Sequence, residues 1–373
     1  MYMKKTVPVI AAVLLMAGLR FPAAHAADEP EVSAKAAVVV SADTGEVVYS
    51  RNSGEKLPMA STTKIMTTLL CLESGGLDVP FVVDSDAIHV EGSSMGLQEG
   101  DIVTKRALCC GMLLPSGNDA ANAAAVRISG SISKFADLMN DRAQQIGLSK
   151  TYFVTPSGLE GEGHGSSAYD MAVLASEALR NETFRDICSC ETMKVEFGNP
   201  PYPRWLKNTN KLLSMYGGTY GVKTGFTDEA GRCLVSACER DDKNLVCVTL
   251  NDRNDWNDHM AMYDYAFGKV NTFQPDIPPD IELPLAGGLN DTIKATAQEL
   301  PAPVTAVSEN ELSYTVISPP FIYAPVKKGD KLAELSIVCR GREIRRVPLY
   351  SAEDAAHKEA PAKKKKKSLF SGK

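Results

Sequence analysis

The spacing of apolar residues changes along the chain, and each change marks a segment. After the basic start Met1–Lys5, the run Val7–Leu19 is apolar but too short to span a bilayer comfortably. With Ala24-His25-Ala26 behind it, the run predicts an export signal peptide over residues 1–26. The short runs Ala36–Ala42 and Glu46–Tyr49, joined at Asp43-Thr44-Gly45, predict a β-hairpin. Residues 58–74 switch to helical spacing, opening with Pro58 and carrying Ile65, Met66, Leu69, Leu70 and Leu72. Helices are predicted at 104–114 and 118–129 on either side of the break Pro115-Ser116-Gly117, and again at 131–147 and 167–180. Strand character returns at 217–226, 232–239 and 244–250, and 256–268 closes as a helix. Strands at both ends with helices between them predict a mixed α/β or α+β domain over 27–273 whose sheet joins both ends.

Near residue 275 the texture changes. Pro275, Pro278, Pro279, Pro284, Pro301 and Pro303 punctuate short β-like runs such as Tyr314–Ile317. No convincing helical period appears between 280 and 350, so 274–351 is expected to be a small all-β domain. From Ala352 the chain is polar and low in complexity and predicts a disordered basic tail, 352–373. No internal repeat is visible.

Composition adds little to this picture. The chain is 44% hydrophobic and 23% charged, as expected of a globular protein. A net charge of -6 does not point to nucleic acid. The charge is uneven, with a basic start, an acidic body and a basic end, which suggests a soluble domain with one adhesive terminus. Nine Cys is an odd count, and most sit among apolar neighbours, as in Ala107-Leu108-Cys109-Cys110. They read as small buried hydrophobes rather than a disulfide framework. Cys188-Ser189-Cys190 lacks zinc-site spacing.

Three short motifs carry chemistry. In Ser61-Thr62-Thr63-Lys64 a helix start would place the hydroxyl and the amine one turn apart on one face. A serine becomes a nucleophile when a base takes its proton. A lysine serves as that base when burial or a nearby cation lowers its pKa. Ser116-Gly117-Asn118 offers a hydroxyl for proton relay and an amide for hydrogen bonding. Lys223-Thr224-Gly225, on a predicted strand, offers a cation and a hydroxyl for a carboxylate, with a glycine that permits close backbone approach. Each alone reads equally well as a helix cap, a turn or a solvated strand end. Their order, with gaps of about 50 and about 105 residues, is what carries weight.

The triplet, together with the stretches Leu57–Thr67, Leu114–Ala121, Ser166–Ala172 and Gly221–Gly231, resembles the low-molecular-weight penicillin-binding proteins, the D-alanyl-D-alanine carboxypeptidases. The resemblance runs from about Ala36 to Phe267, with further similarity up to Tyr350. It implies an α+β fold: a β-lactamase/transpeptidase-like catalytic domain, an antiparallel sheet with a helical cluster, followed by the small all-β domain. It implies Ser61 as the acylated nucleophile, Lys64 as general base, and Ser116 and Asn118 as the second wall of the cleft. Lys223, Thr224 and Gly225 would bind the substrate's terminal carboxylate. The N–H groups of Ser61 and Phe226 would form the oxyanion hole. No metal or cofactor is implied. The partners implied are stem peptides of peptidoglycan ending in D-Ala–D-Ala, and β-lactams as inhibitors outside the cytoplasm.

Some positions depart from the family pattern. Phe226 stands where some relatives carry His. Arg253, in Asn251–Asp255, is a further carboxylate ligand or a residue of a polar loop, and His164 is expected to be structural. The end offers Lys363–Lys367 with Leu369 and Phe370 in place of an amphipathic helix, a pattern suited to reversible contact with an anionic membrane or wall polymer. Other readings remain. A class A β-lactamase would need an extra carboxylate, and no Glu-x-x-Leu-Asn lies between Asn118 and Lys223. An endopeptidase or transpeptidase would share all three motifs, and a non-catalytic wall-binding relative would be expected to have lost one.

Overall fold

A computed structural model describes residues 28–358 except 300, 309–311 and 340. The expected signal peptide and the run Lys363–Lys367 lie outside the described residues. Strands β1 (Ala36–Ser41) and β2 (Val47–Arg51) form the expected hairpin, and Gly45 takes a left-handed φ of 72° in its turn. A 3-10 turn, Ala60–Thr63, leads into α1 (Lys64–Glu73). Then follow β3 (Phe81–Val82), β4 (Ile102–Val103), α2 (Lys105–Leu113), α3 (Asn118–Ser129), α4 (Ile132–Ile146), α5 (Ala168–Ala178) and α6 (Glu182–Ser189). β5 (Thr192–Gly198), β6 (Pro201–Lys207) and the short α7 (Leu212–Met215) precede β7 (Thr219–Thr227), β8 (Gly231–Arg240), β9 (Lys243–Leu250) and α8 (Asp255–Phe267).

The main sheet is antiparallel with order β2-β1-β9-β8-β7, so β1 pairs with β9 and the two ends of the domain meet as expected. Its central strands are buried on both faces, which is why they read as mostly apolar runs without strict alternation. Val38, Val40, Val235, Val246 and Val248 face the helical cluster around α1, α2 and α5. Ala37, Val39, Leu234, Leu245 and Cys247 face Met262, Tyr263 and Ala266 of α8. Strand β7 is left at the edge, beside the start of α1.

The sheet β3-β4-β5-β6 has no counterpart in the sequence reading. Pro200, Pro201 and Pro203 and many exposed positions mask its period, while Phe197 and Leu206 anchor it in the core.

Beyond α8, β10 (Asn271–Phe273) is followed by β11 (Ile281–Ala286), β12 (Thr292–Ala297), β13 (Val304–Ala306), β14 (Leu312–Ile317), β15 (Ile322–Tyr323), β16 (Lys331–Cys339) and β17 (Arg342–Ser351). Six of these form the sheet β14-β16-β17-β12-β11-β15, around a core that includes Leu283, Ile293, Leu335 and Leu349. The expected boundary at 273/274 is crossed again by β13, which pairs with β10. Thr305 docks on the first hairpin: its N–H donates to Asp43 Oδ2 at 2.9 Å, and its carbonyl accepts from Ser41 Oγ at 2.7 Å. Ordered pairing also runs past the expected onset of the tail at Ala352. Ala355 bridges Val326, and the Lys328 N–H donates to Asp354 Oδ1 at 2.8 Å. These local bonds give a polar segment fixed partners.

Candidate active site

The 3-10 turn and α1 are continuous, so Ser61 and Lys64 stand one turn apart. Ala60 takes a left-handed φ of 47° in this turn. Gly158 packs against it so closely that a Cβ there would collide with the Ala60 carbonyl. Lys64 is fully buried. Its Nζ lies 2.8 Å from Ser61 Oγ, 2.6 Å from Asn118 Oδ1 and 2.6 Å from the Ser157 carbonyl. Burial holds the Lys64 amine well below the ordinary lysine range; the Lys223 charge acts in the same direction, and Asp119 opposes it. A neutral amine has two N–H groups and one lone pair. Donating to Asn118 and Ser157 leaves that lone pair for the Ser61 hydroxyl.

Asn118 begins α3, and its Nδ2 donates to the Glu91 carbonyl at 2.6 Å. Ser116, in the turn before it, has a left-handed φ of 67° and lines the same cleft as Ser61. Asp119, which the motif reading passed over, accepts from Met95 N–H at 2.9 Å and from Gly96 and Leu97 N–H at 3.0 Å each. It thereby ties the 92–97 loop, with Ser93 on the cleft wall, to the first turn of α3. The acid in that first turn was the available signal; its partners are distant in sequence.

Edge strand β7 closes the other side. Gly225 is backed onto the Ser61 turn: a Cβ there would lie 3.0 Å from Ser61 N and 3.1 Å from Thr62 N. The strand can come this close because residue 225 has no side chain. The Thr224 hydroxyl lines the cleft and bonds Thr209 Oγ1 at 2.6 Å. Lys223 does not line it. Its amine is buried beneath, donates to the Thr224 carbonyl at 2.7 Å, and is lowered by burial to about 7. Phe226 is 62% exposed at the cleft mouth.

The cleft is open and about 360 Å³ in volume. Arg253 is exposed ahead of α8 and is not among its lining residues; Arg232 is. His164 sits behind the Ser61 turn. The Val154 N–H donates to its Nδ1 at 2.9 Å, so Nε2 carries the proton and donates to Thr63 Oγ1 at 2.9 Å. Burial, with Lys56 nearby, lowers His164 to about 4, which suits a neutral structural role.

The sequence profile of the D-alanyl-D-alanine carboxypeptidases, peptidase family S11, matches residues 23–254. The chain belongs to this family. It is 34% identical over 337 residues to D-alanyl-D-alanine carboxypeptidase DacF of Bacillus subtilis, covering 86% of this chain and 85% of that one. Among solved structures, the Streptomyces K15 DD-transpeptidase superposes with a TM-score of 0.61 at 30% identity, over 64% of this chain and 98% of its own. Penicillin-binding protein 5 from Haemophilus influenzae superposes with a TM-score of 0.62 at 25% identity, over 88% of this chain and 99% of its own. The family and the α+β fold are those implied by the motif order. Among the described residues no helix is long and apolar enough to cross a membrane.

Proposed function

We propose that this family member is a serine-type D-Ala–D-Ala carboxypeptidase that removes the terminal D-alanine from peptidoglycan stem pentapeptides. The observation that carries this reading is the Lys64 amine, buried, lowered in pKa and 2.8 Å from Ser61 Oγ. Ser61 Oγ attacks the carbonyl carbon of the penultimate D-alanine, and its proton passes to Lys64 Nζ. The Ser61 and Phe226 N–H groups receive the developing oxyanion. The amide C–N bond then breaks, and the leaving amine takes the proton by way of Ser116. Water hydrolyses the Ser61 ester and restores the enzyme. Asn118 fixes Lys64 and presents its amide to the substrate. The Thr224 hydroxyl, with Lys223 behind it and Gly225 allowing close approach, holds the terminal carboxylate. A β-lactam enters as a mimic of the dipeptide and leaves Ser61 as a slow ester.

In the same reading residues 1–26 are an export signal, 27–273 the catalytic domain and 274–351 a second domain, and the protein works outside the cytoplasm. The run Lys363–Lys367 makes reversible contact with an anionic membrane or wall polymer, at about 1 kcal/mol per lysine. The deciding experiment is D-alanine release from a synthetic pentapeptide ending in D-Ala–D-Ala, with wild type beside Ser61→Ala. Release by wild type and a loss of at least about 10³-fold in the variant is expected. Equal turnover by both would remove Ser61 from its role. No turnover of the pentapeptide, with cleavage of cross-linked dimers, would make the protein an endopeptidase.

A further inference from the structure

We propose that the outer face of the β5–β6 hairpin, centred on Trp205, docks the amino-sugar glycan chain that carries the stem peptides. This rests on the reading of the substrate as a peptidoglycan stem peptide.

The ladder register sorts the hairpin into two faces. One pairs Met193 with Leu206, Val195 with Arg204 and Phe197 with Tyr202, and it packs on the domain through Met193, Val195, Phe197 and Leu206. The other pairs Lys194 with Trp205, Glu196 with Pro203 and Thr192 with Lys207, and every residue on it is exposed. Trp205 is 71% exposed. Tryptophan is highly buried on average, so an indole held in water on a paired strand leaves a large apolar ring uncovered.

The platform is held firmly and borders the cleft. Behind it Arg204 stacks over Phe197 at 4.0 Å and over Tyr202 at 4.3 Å. The Arg204 Nη1 donates to the Gly96 carbonyl at 2.9 Å, in the loop that puts Ser93 on the cleft wall. Past the end of β6, Thr209 lines the cleft and bonds Thr224. The four residues of chain from Trp205 to Thr209 span at most about 14 Å, and an extended five-residue stem spans about 17 Å. A glycan on the platform therefore keeps its stems within reach of the cleft.

The chemistry of the face selects this occupant. A pyranose ring presents a flat face of C–H bonds, whose partial positive charge suits the negative face of an indole. Trp205 is the single large apolar side chain on the outer face. A membrane-binding face needs a broad apolar surface, and a protein interface needs an apolar centre of several residues. Lys194 lies across from Trp205 and Lys207 two residues along, against one acid, Glu196. Each unprocessed stem on a glycan ends in a D-alanine carboxylate, so the polymer is anionic and complements that surplus of positive charge. Docking beside the cleft raises the local concentration of stems without any new contact to the reacting peptide.

The test compares D-alanine release from a soluble pentapeptide and from the same pentapeptide attached to a glycan of several disaccharides. Wild type should favour the glycan-borne peptide about tenfold in kcat/KM, chiefly through KM. Trp205→Ala should bring that substrate down to the level of the free peptide and leave the free peptide within about twofold. Trp205→Phe, which keeps a smaller aromatic face, should fall between. Sedimentation of Ser61→Ala protein with purified insoluble peptidoglycan reads binding without turnover, and adding Trp205→Ala should weaken it about tenfold. Trp205-dependent binding with no D-alanine release from either substrate would sink the hydrolytic reading and keep the platform. Equal use of the two substrates by wild type would overturn the platform. So would an equal loss on both in Trp205→Ala with an unchanged melting temperature. Trp205-dependent binding to vesicles of anionic phospholipid, with none to peptidoglycan, would overturn the glycan as occupant.

Discussion

In the first domain the ground between the five-stranded sheet and the helices holds Lys64, Thr67, Asn118, Asp119 and Lys223, all buried. In the six-stranded sheet of residues 281–351 the buried polar residues among those described are Ser336 and Ser351. Its charges sit outside in pairs, such as Arg346 with Glu343 at 2.7 Å and Lys331 with Glu334 at 2.6 Å. Exposed pairs of this kind add little stability, so that sheet rests on its apolar core. The first domain holds two amines away from water, which opposes folding and lowers their pKa. The contrast teaches where buried charge is placed: the region that holds buried amines is the one in which a lysine of lowered pKa lies beside a serine.

The sharpest way to break this contrast is to disturb the approach of the edge strand. Gly225→Val would force β7 off the Ser61 turn, and kcat/KM for D-alanine release should fall at least about 10²-fold. Circular dichroism should show the fold kept. Full activity would mean that the closeness of strand and turn is incidental.

The opposite case is Leu335→Ala in the core of the second sheet. It should cost about 2–5 kcal/mol in denaturant unfolding, while kcat/KM of the folded protein stays within about twofold. A large loss of activity in the folded state would couple the two sheets through the Thr305 contacts.

Acid should weaken the first domain. His164 and His259 are lowered by burial to about 4 and about 3. An unfolded histidine takes up a proton below about 6.5, which these two refuse while folded. Their stabilisation is complete above that pH and is lost as pH falls toward 4, at about 3 kcal/mol each. Hydrogen exchange at pH 7 and pH 4.5 should show this loss across α8 and the Ser61 turn. Uniform protection at both values would contradict the assignment.

A change in the pH profile, beside any loss of carboxylate binding, belongs to Lys223→Met. Its charge lowers Lys64, so removing it raises Lys64 and reduces the neutral fraction at a given pH. The acid limb of the pH profile of kcat/KM should move upward. A downward shift would remove the coupling between the two lysines.

The sequence by itself determined the elements with strong periods and the residues that recur as motifs. The middle stretches of β1, β8 and β9 are mostly apolar because both faces are covered, and Ser61 with Lys64 is a local i, i+3 pair. The tertiary structure alone decided what those residues face. The β5–β6 hairpin was obscured by prolines and exposed positions. Lys223 sits under the cleft instead of in it, and Arg232 lines the cleft where Arg253 does not. The third partner of Lys64 is a backbone carbonyl at Ser157, which no side-chain motif can announce. Burial, and the pKa it sets, arises from segments far apart in the chain, so it exists only once they have packed.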